Sequence, residues 1–211
     1  MRFIDRVLGN LMTGFARIVT GAQARWIGCA PAPEQRIYYA NHASHADFAL
    51  VWASLPPDLR VNTRPVAGSD YWEKGRIRRY ISHNVIHAVL IDRDRTTRTE
   101  DPIDKIVAAL DSGYSLIVFP EGTRNTGDAP LQPFKSGIYH VATRRPDVEL
   151  VPVWIENVGR VMPKGEFIPL PLLCSVNFGK PLKLAPGESK DAFVNRIREA
   201  LLGLSASLHP S

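Results

Sequence analysis

Residues 114–124 read Tyr-Ser-Leu-Ile-Val-Phe-Pro-Glu-Gly-Thr-Arg, an apolar run that stops at a proline and turns into a carboxylate, a glycine, a hydroxyl and a cation. The β-branched and aromatic stretch Tyr114–Phe119 is a strand by composition. Gly113 before it stops a helix predicted over Pro102–Asp111, where Pro102 suits the first turn. The same alternation runs outward in both directions. Further strands are expected at Arg36–Ala40, Arg60–Val66, Val85–Ile91, Glu149–Ile155 and Cys174–Phe178, and helices at Phe48–Ser54, Tyr71–Ser82, Ser136–Arg145 and Ala192–Leu204. Strands alternating with helices predict an α/β fold: a single domain with a largely parallel central sheet covered by helices. With 211 residues and 45% hydrophobic content the chain can bury one sizeable core, and no composition shift divides that core in two.

Chemistry-bearing residues fall just past predicted strand ends, where open α/β sheets place their sites. Ala40 leads into Asn41-His42-Ala43-Ser44-His45-Ala46-Asp47, Leu90-Ile91 into Asp92-Arg93, and Phe119 into Pro120-Glu121-Gly122-Thr123-Arg124. An imidazole with a carboxylate five positions on is the pairing that activates a hydroxyl: His42 as base, Asp47 fixing its tautomer. Five residues turn an ideal helix through about 500°, leaving the two side chains roughly 140° apart. The string therefore starts as a turn, with Ser44 as a helix cap and Asp47 in the first turn reaching back. Taken alone, such a His–Asp pair is more often structural. Arg93 and Arg124 carry the planar fork that grips phosphate, whereas an isolated arginine is usually a solvated cation, the reading given to Arg95 and Arg98. Amides around Glu121, Gly122 and Thr123 are candidate oxyanion donors, because Gly122 permits close approach.

His42 to Asp47 with its preceding Asn41, Leu90 to Arg93, Phe119 to Arg124 and Val151 to Ile155 form four ordered blocks, and in them the chain resembles the glycerolipid acyltransferase family, typified by 1-acyl-glycerol-3-phosphate acyltransferases. The resemblance implies transfer of a fatty acyl group from acyl-CoA or acyl carrier protein to the free hydroxyl of a lysophosphatidate-type acceptor. It makes His42 and Asp47 catalytic, and it gives Arg93, Glu121, Gly122, Thr123 and Arg124 to acceptor binding. It also leaves open another lyso-lipid acceptor or a catalytically silent lipid-binding relative. Members that act on lysophosphatidate often carry a lysine pair where this chain reads Val66-Ala67-Gly68-Ser69-Asp70, so that task falls to Arg64, to Lys74 or to neither. His45 stands where relatives carry an aromatic or apolar residue. No acyl-enzyme is expected, since neither cysteine lies in a motif.

The formal net charge is +5, and the sequence pI of about 9.4 favours anionic partners. A nucleic-acid binder is set aside because basic residues are scattered and no binding module is recognisable. Cys29 and Cys174 are far apart and fit free thiols in a reducing compartment. No metal or resident cofactor is expected. His83 and His87 have zinc-compatible spacing but sit in an apolar strand-like run without the glutamate of a metalloprotease motif. The longest apolar run, Ile168 to Val176, is too short and too interrupted to span a bilayer. Phe3, Ile4, Val7, Leu8, Leu11, Met12, Phe15, Ile18 and Val19 recur at helical spacing, extended by Trp26 and Ile27, and Arg2, Arg6, Arg17 and Arg25 outnumber Asp5. By periodicity this stripe fits core packing as well as a membrane interface. The resemblance favours the membrane. Residues 1–28 are accordingly expected as an amphipathic interface segment on the cytoplasmic membrane face, with 29–211 as the catalytic domain. The Gly- and Pro-rich stretch Asn157–Pro171 is expected as a loop beside an acyl groove.

Overall fold

The structure is a computed structural model that describes Gly14 and residues 23–44, 47–94, 96, 98–157 and 174–208. In chain order its elements are β1 (Gln23–Trp26), β2 (Arg36–Ala40), α1 (Asp47–Ser54), α2 (Pro57–Val61), β3 (Thr63–Gly68), α3 (Ser69–Trp72), α4 (Arg76–Tyr80), a π-helical turn (Ile81–Val85), β4 (Val89–Ile91), α5 (Pro102–Asp111), β5 (Ser115–Val118), α6 (Gly137–Arg144), β6 (Glu149–Asn157), β7 (Cys174–Phe178) and α7 (Lys190–Ala206). The strands form one sheet in the order β1-β7-β6-β2-β5-β3-β4. All neighbours are parallel except β6 and β7.

β2 lies at the centre, and all five of its residues are buried. Ile37 and Tyr39 point into one core layer with Leu116, Ile138, Phe193 and Ile197, beneath α5, α6 and α7. Tyr38 and Ala40 point into the other with Ile117, Val151, Val153 and Phe178, beneath α1. Helices on both faces explain why β2 and β6 read as near-continuous apolar runs rather than alternating ones. The chain runs from β2 towards β3 and β4 on one side, then crosses from β5 to β6 on the other. The ends of β2 and β5 therefore meet where the winding changes direction, which is the crevice position of doubly wound sheets.

Three local expectations are revised. Trp26 does not extend a helical face: Gln23–Trp26 is a strand beside β7, and Trp26 stacks on Phe178 with ring centroids 3.9 Å apart. Residues 1–13 and 15–22, which carry most of the amphipathic stripe, lie outside the described residues, as do 158–173 of the expected acyl-groove loop. The helix expected over Tyr71–Ser82 is two short helices broken at Gly75, whose φ of +94° is a left-handed value that glycine tolerates. The strand expected over Val85–Ile91 begins only at Val89, after the π turn. Among the described residues no helix is long and apolar enough to cross a membrane.

Candidate active site

β2 leaves the sheet at Asn41, whose side-chain amide accepts the Ile155 N–H (2.8 Å) and donates to the Ile155 carbonyl (3.0 Å). Asn41 thus continues the ladder to β6 through its side chain and frees the backbone to turn. His42 follows, held on three sides. Its N–H donates to Glu121 Oε1 (2.7 Å), its carbonyl accepts the Asn125 N–H (2.7 Å), and its ring stacks on Phe119 at 4.3 Å between centroids.

Asp47, 1% exposed, opens α1 and reaches back as the spacing argument requires. Its Oδ2 lies 3.0 Å from His42 Nδ1 and accepts the N–H groups of Ala43 and Ser44, each at 2.7 Å. Ser44, expected as the cap, donates its N–H to this carboxylate, and residues 45 and 46 between them lie outside the described residues. An ionised carboxylate only accepts hydrogen bonds, so Nδ1 carries the proton and donates to it, leaving Nε2 as the acceptor nitrogen. His42 lines a cleft of about 790 Å³ together with Phe48, Tyr71, Trp72, Arg93, Phe119, Gly122, Thr123, Arg124 and Lys135.

Glu121 is 2% exposed and is a scaffold group in this geometry. Its two oxygens accept His42 N–H and Gln132 N–H (2.8 Å), tying the β5 turn to the β2 turn. Burial pushes its carboxyl above the usual range, opposed by those two amide donors. Glu121→Gln presents an amide NH₂ to a backbone N–H and is expected to lower stability by about 1–3 kcal/mol, read from the denaturant midpoint.

The arginines divide. Arg93 Nη2 lies 2.8 and 2.7 Å from the two Asp70 oxygens, and its Nε lies 3.2 Å from Oδ1. Its Nη1 donates to the Gly122 carbonyl (3.3 Å). The hydrogen bonds from Arg93 hold the Asp70 carboxyl below its usual range, so the pair stays ionised. Gly68 makes room for it, since a Cβ there would sit 2.6 Å from Arg93 Nε. Arg93 is therefore committed to a carboxylate and a carbonyl, and it bridges the ends of β3 and β5. Arg124 is exposed at the cleft wall and makes no ion pair among the described residues.

The replacements expected for the missing lysine are elsewhere. Arg64 sits over the Tyr114 ring, its Cζ 3.3 Å from the centroid, and neither it nor Lys74 lines the cleft. The lysine that does line it is Lys135, which the motif reading did not single out, and Arg98, read from the sequence as a solvated cation, lines it too. The Lys135 N–H donates to the Pro120 carbonyl (2.8 Å). Its side chain crosses Gly122, where a Cβ would stand 2.8 Å from Cδ and 3.0 Å from Nζ. Gly122 also holds φ at +70°, so position 122 excludes side chains by both space and conformation. Its N–H bonds to the Phe119 carbonyl (2.9 Å), which removes it from the oxyanion donors expected from the sequence. Thr123 remains on the cleft wall.

Neither cysteine lines the cleft, and burial raises the pKa of both thiols, which disfavours a thiolate nucleophile. Among the described residues no three His, Cys, Asp or Glu side chains gather as a metal-binding group. His45 lies outside the described residues.

Residues 27–156, more than half of the chain, match the family model described as Acyltransferase. A 1-acyl-sn-glycerol-3-phosphate acyltransferase of Limnanthes alba is 26% identical over 181 residues, covering 85% of this chain and 61% of that protein. A protein of the same name from Cocos nucifera is 32% identical over 163 residues, covering 69% of this chain and 50% of the relative. One from Haemophilus influenzae is 28% identical over 124 residues, covering 56% and 46%. The chain thus spans about half to three fifths of these relatives' lengths. A solved structure, the 1-acyl-sn-glycerophosphate (LPA) acyltransferase PlsC of Thermotoga maritima, aligns with a TM-score of 0.69 at 19% identity, covering 100% of this chain and 85% of that one, and shares its fold. The matched span carries all four sequence blocks and the His42–Asp47 pair, and the chain belongs to the Acyltransferase family.

Proposed function

We propose that the protein transfers a fatty acyl group from an acyl thioester, acyl-CoA or acyl carrier protein, to the free hydroxyl of a lysophosphatidate-type acceptor. The observation that carries this reading is the His42 Nδ1–Asp47 Oδ2 contact of 3.0 Å on the wall of a cleft that also holds Arg124 and Lys135. His42 Nε2 accepts the acceptor's hydroxyl proton as its oxygen attacks the thioester carbonyl. Asp47 stabilises the imidazolium that forms. The tetrahedral intermediate collapses with loss of the thiolate, which takes up the proton held by His42. Stacking on Phe119 keeps the imidazole in plane through both transfers. Thr123 N–H is the candidate oxyanion donor, since Gly122 N–H is spent within its own turn. The names of the relatives support the acceptor class.

A phosphate monoester carries up to two negative charges, and Arg124 and Lys135, beside the Gly122 turn, are cleft cations without a carboxylate partner among the described residues. Arg124→Ala and Lys135→Ala are each expected to raise the acceptor KM by about ten- to a hundredfold, the equivalent of about 1.5–3 kcal/mol per charged hydrogen bond, with little change in the donor KM. Thiol release from an acyl thioester, followed with and without lysophosphatidate, tests both the activity and this assignment. Equal effects on donor and acceptor would place the phosphate elsewhere.

A further inference from the structure

α4 exposes its side chains: its five residues, Arg-Ile-Arg-Arg-Tyr, bury none of them, no side chain caps its N-terminus, and it is anchored through the π-helical turn that continues it, where Ser82 and Val85 are buried. Ile77 is 77% exposed and Tyr80 is 39% exposed. Around them stand Lys74, Arg76, Arg78 and Arg79, none of which forms an ion pair among the described residues. Arg76, Arg79, Tyr80, His83 and Asn84 enclose a shallow hollow of about 420 Å³. Residues 74–84 contain no acid, and Glu73 just before them lies 3.7 Å from His83.

This surface is continuous with the cleft. Arg78 lies over the Tyr71 ring at 4.4 Å, Tyr71 meets Trp72 edge-on at 5.5 Å, and Trp72 meets Phe48 edge-on at 5.3 Å. Tyr71, Trp72 and Phe48 all line the cleft, so the aromatic wall of the cleft runs directly into the cationic patch.

We propose that residues 74–84 are a docking surface for an anionic lipid bilayer, with Ile77 and Tyr80 entering the interface and Arg76 and Arg79 holding headgroup phosphates in the hollow between them. An apolar tip ringed by guanidinium groups matches the chemistry of that interface: burial for the tip, anionic headgroups for the ring. Charge alone would equally suit an acidic carrier protein. The exposed Ile77 and the aromatic continuity with the cleft favour the bilayer, because they place the cleft mouth at the surface from which a lipid acceptor enters. The placement of the mouth rests on the acyl-transfer reading above; the bilayer contact itself does not.

The test measures co-sedimentation of the full chain with vesicles of phosphatidylcholine alone and of equimolar phosphatidylcholine and phosphatidylglycerol. Arg76→Gln/Arg79→Gln is expected to weaken binding to the anionic vesicles roughly thirtyfold, from two neutralised arginines near a charged surface. Ile77→Asp should weaken it as well, whereas Ile77→Leu should not. Thiol release with a short-chain, water-soluble acceptor should match wild type in every variant, which separates loss of docking from loss of chemistry. Wild-type binding by the variants would overturn the proposal. So would unfolding of Ile77→Asp together with Arg76→Gln/Arg79→Gln, since the patch would then be a contact within this chain. Weakened capture of acyl carrier protein with unchanged vesicle binding would reassign the surface to a carrier protein. If wild type acylates no lysolipid yet binds anionic vesicles through this patch, the functional reading fails and the docking surface stands.

Discussion

His42→Ala is expected to cut turnover by at least about a hundredfold while leaving the acceptor KM nearly unchanged, because losing a general base acts on the chemical step. The residue's backbone is held by Glu121 and Asn125, and neither contact involves the imidazole, so the variant keeps its turn while losing the Phe119 stack and one of the three donors on Asp47. A circular-dichroism spectrum matching wild type, with turnover collapsed, is the expected pair of results. Near-normal turnover in folded His42→Ala protein would remove this base from the mechanism.

Asp47→Asn should damage turnover by about as much or more, and the geometry gives two reasons. A neutral amide cannot balance an imidazolium, and in serine-protease triads the corresponding change costs about 10⁴ in turnover. The second reason is local. Three donors converge on Asp47 Oδ2, while Oδ1 is buried with no partner among the described residues. An asparagine NH₂ must occupy one of those two places, facing either backbone N–H groups or an unpartnered pocket, at about 1–3 kcal/mol. Stability should therefore fall further in Asp47→Asn than in His42→Ala, which keeps both amide donors on the carboxylate. Urea midpoints measured beside turnover separate the two cases.

The layered fold was legible because its signals are local. Arg36–Ala40, Pro102–Asp111 and Cys174–Phe178 have the expected bounds, set by short β-branched or aromatic runs and, for α5, by Pro102 with Asp101 accepting the Ile103 N–H. Gly113, at φ +86°, stops the same helix where expected. Legibility fails where tertiary contacts decide. Gln23–Trp26 is a strand because β7 offers an edge, and Trp26 has Phe178 to stack on. The seven-residue spacing of Trp26 from Val19 carries no trace of that edge. Pro57–Val61 was missed as a helix. Its signal is Pro57 at the first turn and Arg60 donating to the Leu55 carbonyl (2.8 Å), a contact invisible to periodicity.

At the site, the sequence yields identities better than roles. His42 and Asp47 meet as the turn argument requires. Glu121 and Arg93 stand where strand ends bring them, yet the fold spends Glu121 on two backbone amides and Arg93 on Asp70 and Gly122. Asp70 and Arg93 are twenty-three residues apart, and only the parallel pairing of β3 with β4 brings them together. Lys135 could have been suspected from Gly122, since a glycine at a turn often marks a close neighbour, but the sequence does not say which chain segment that neighbour belongs to.

The central claim is tested most directly by incubating the full chain with one isotopically labelled acyl thioester and a panel of lysolipids, and reading the lipid products by mass spectrometry. The account predicts a labelled diacyl product from lysophosphatidate, one free thiol released per product, and no product from the His42→Ala protein. Acylation of other lysolipids without lysophosphatidate, or labelled product at wild-type rate from His42→Ala, would contradict it.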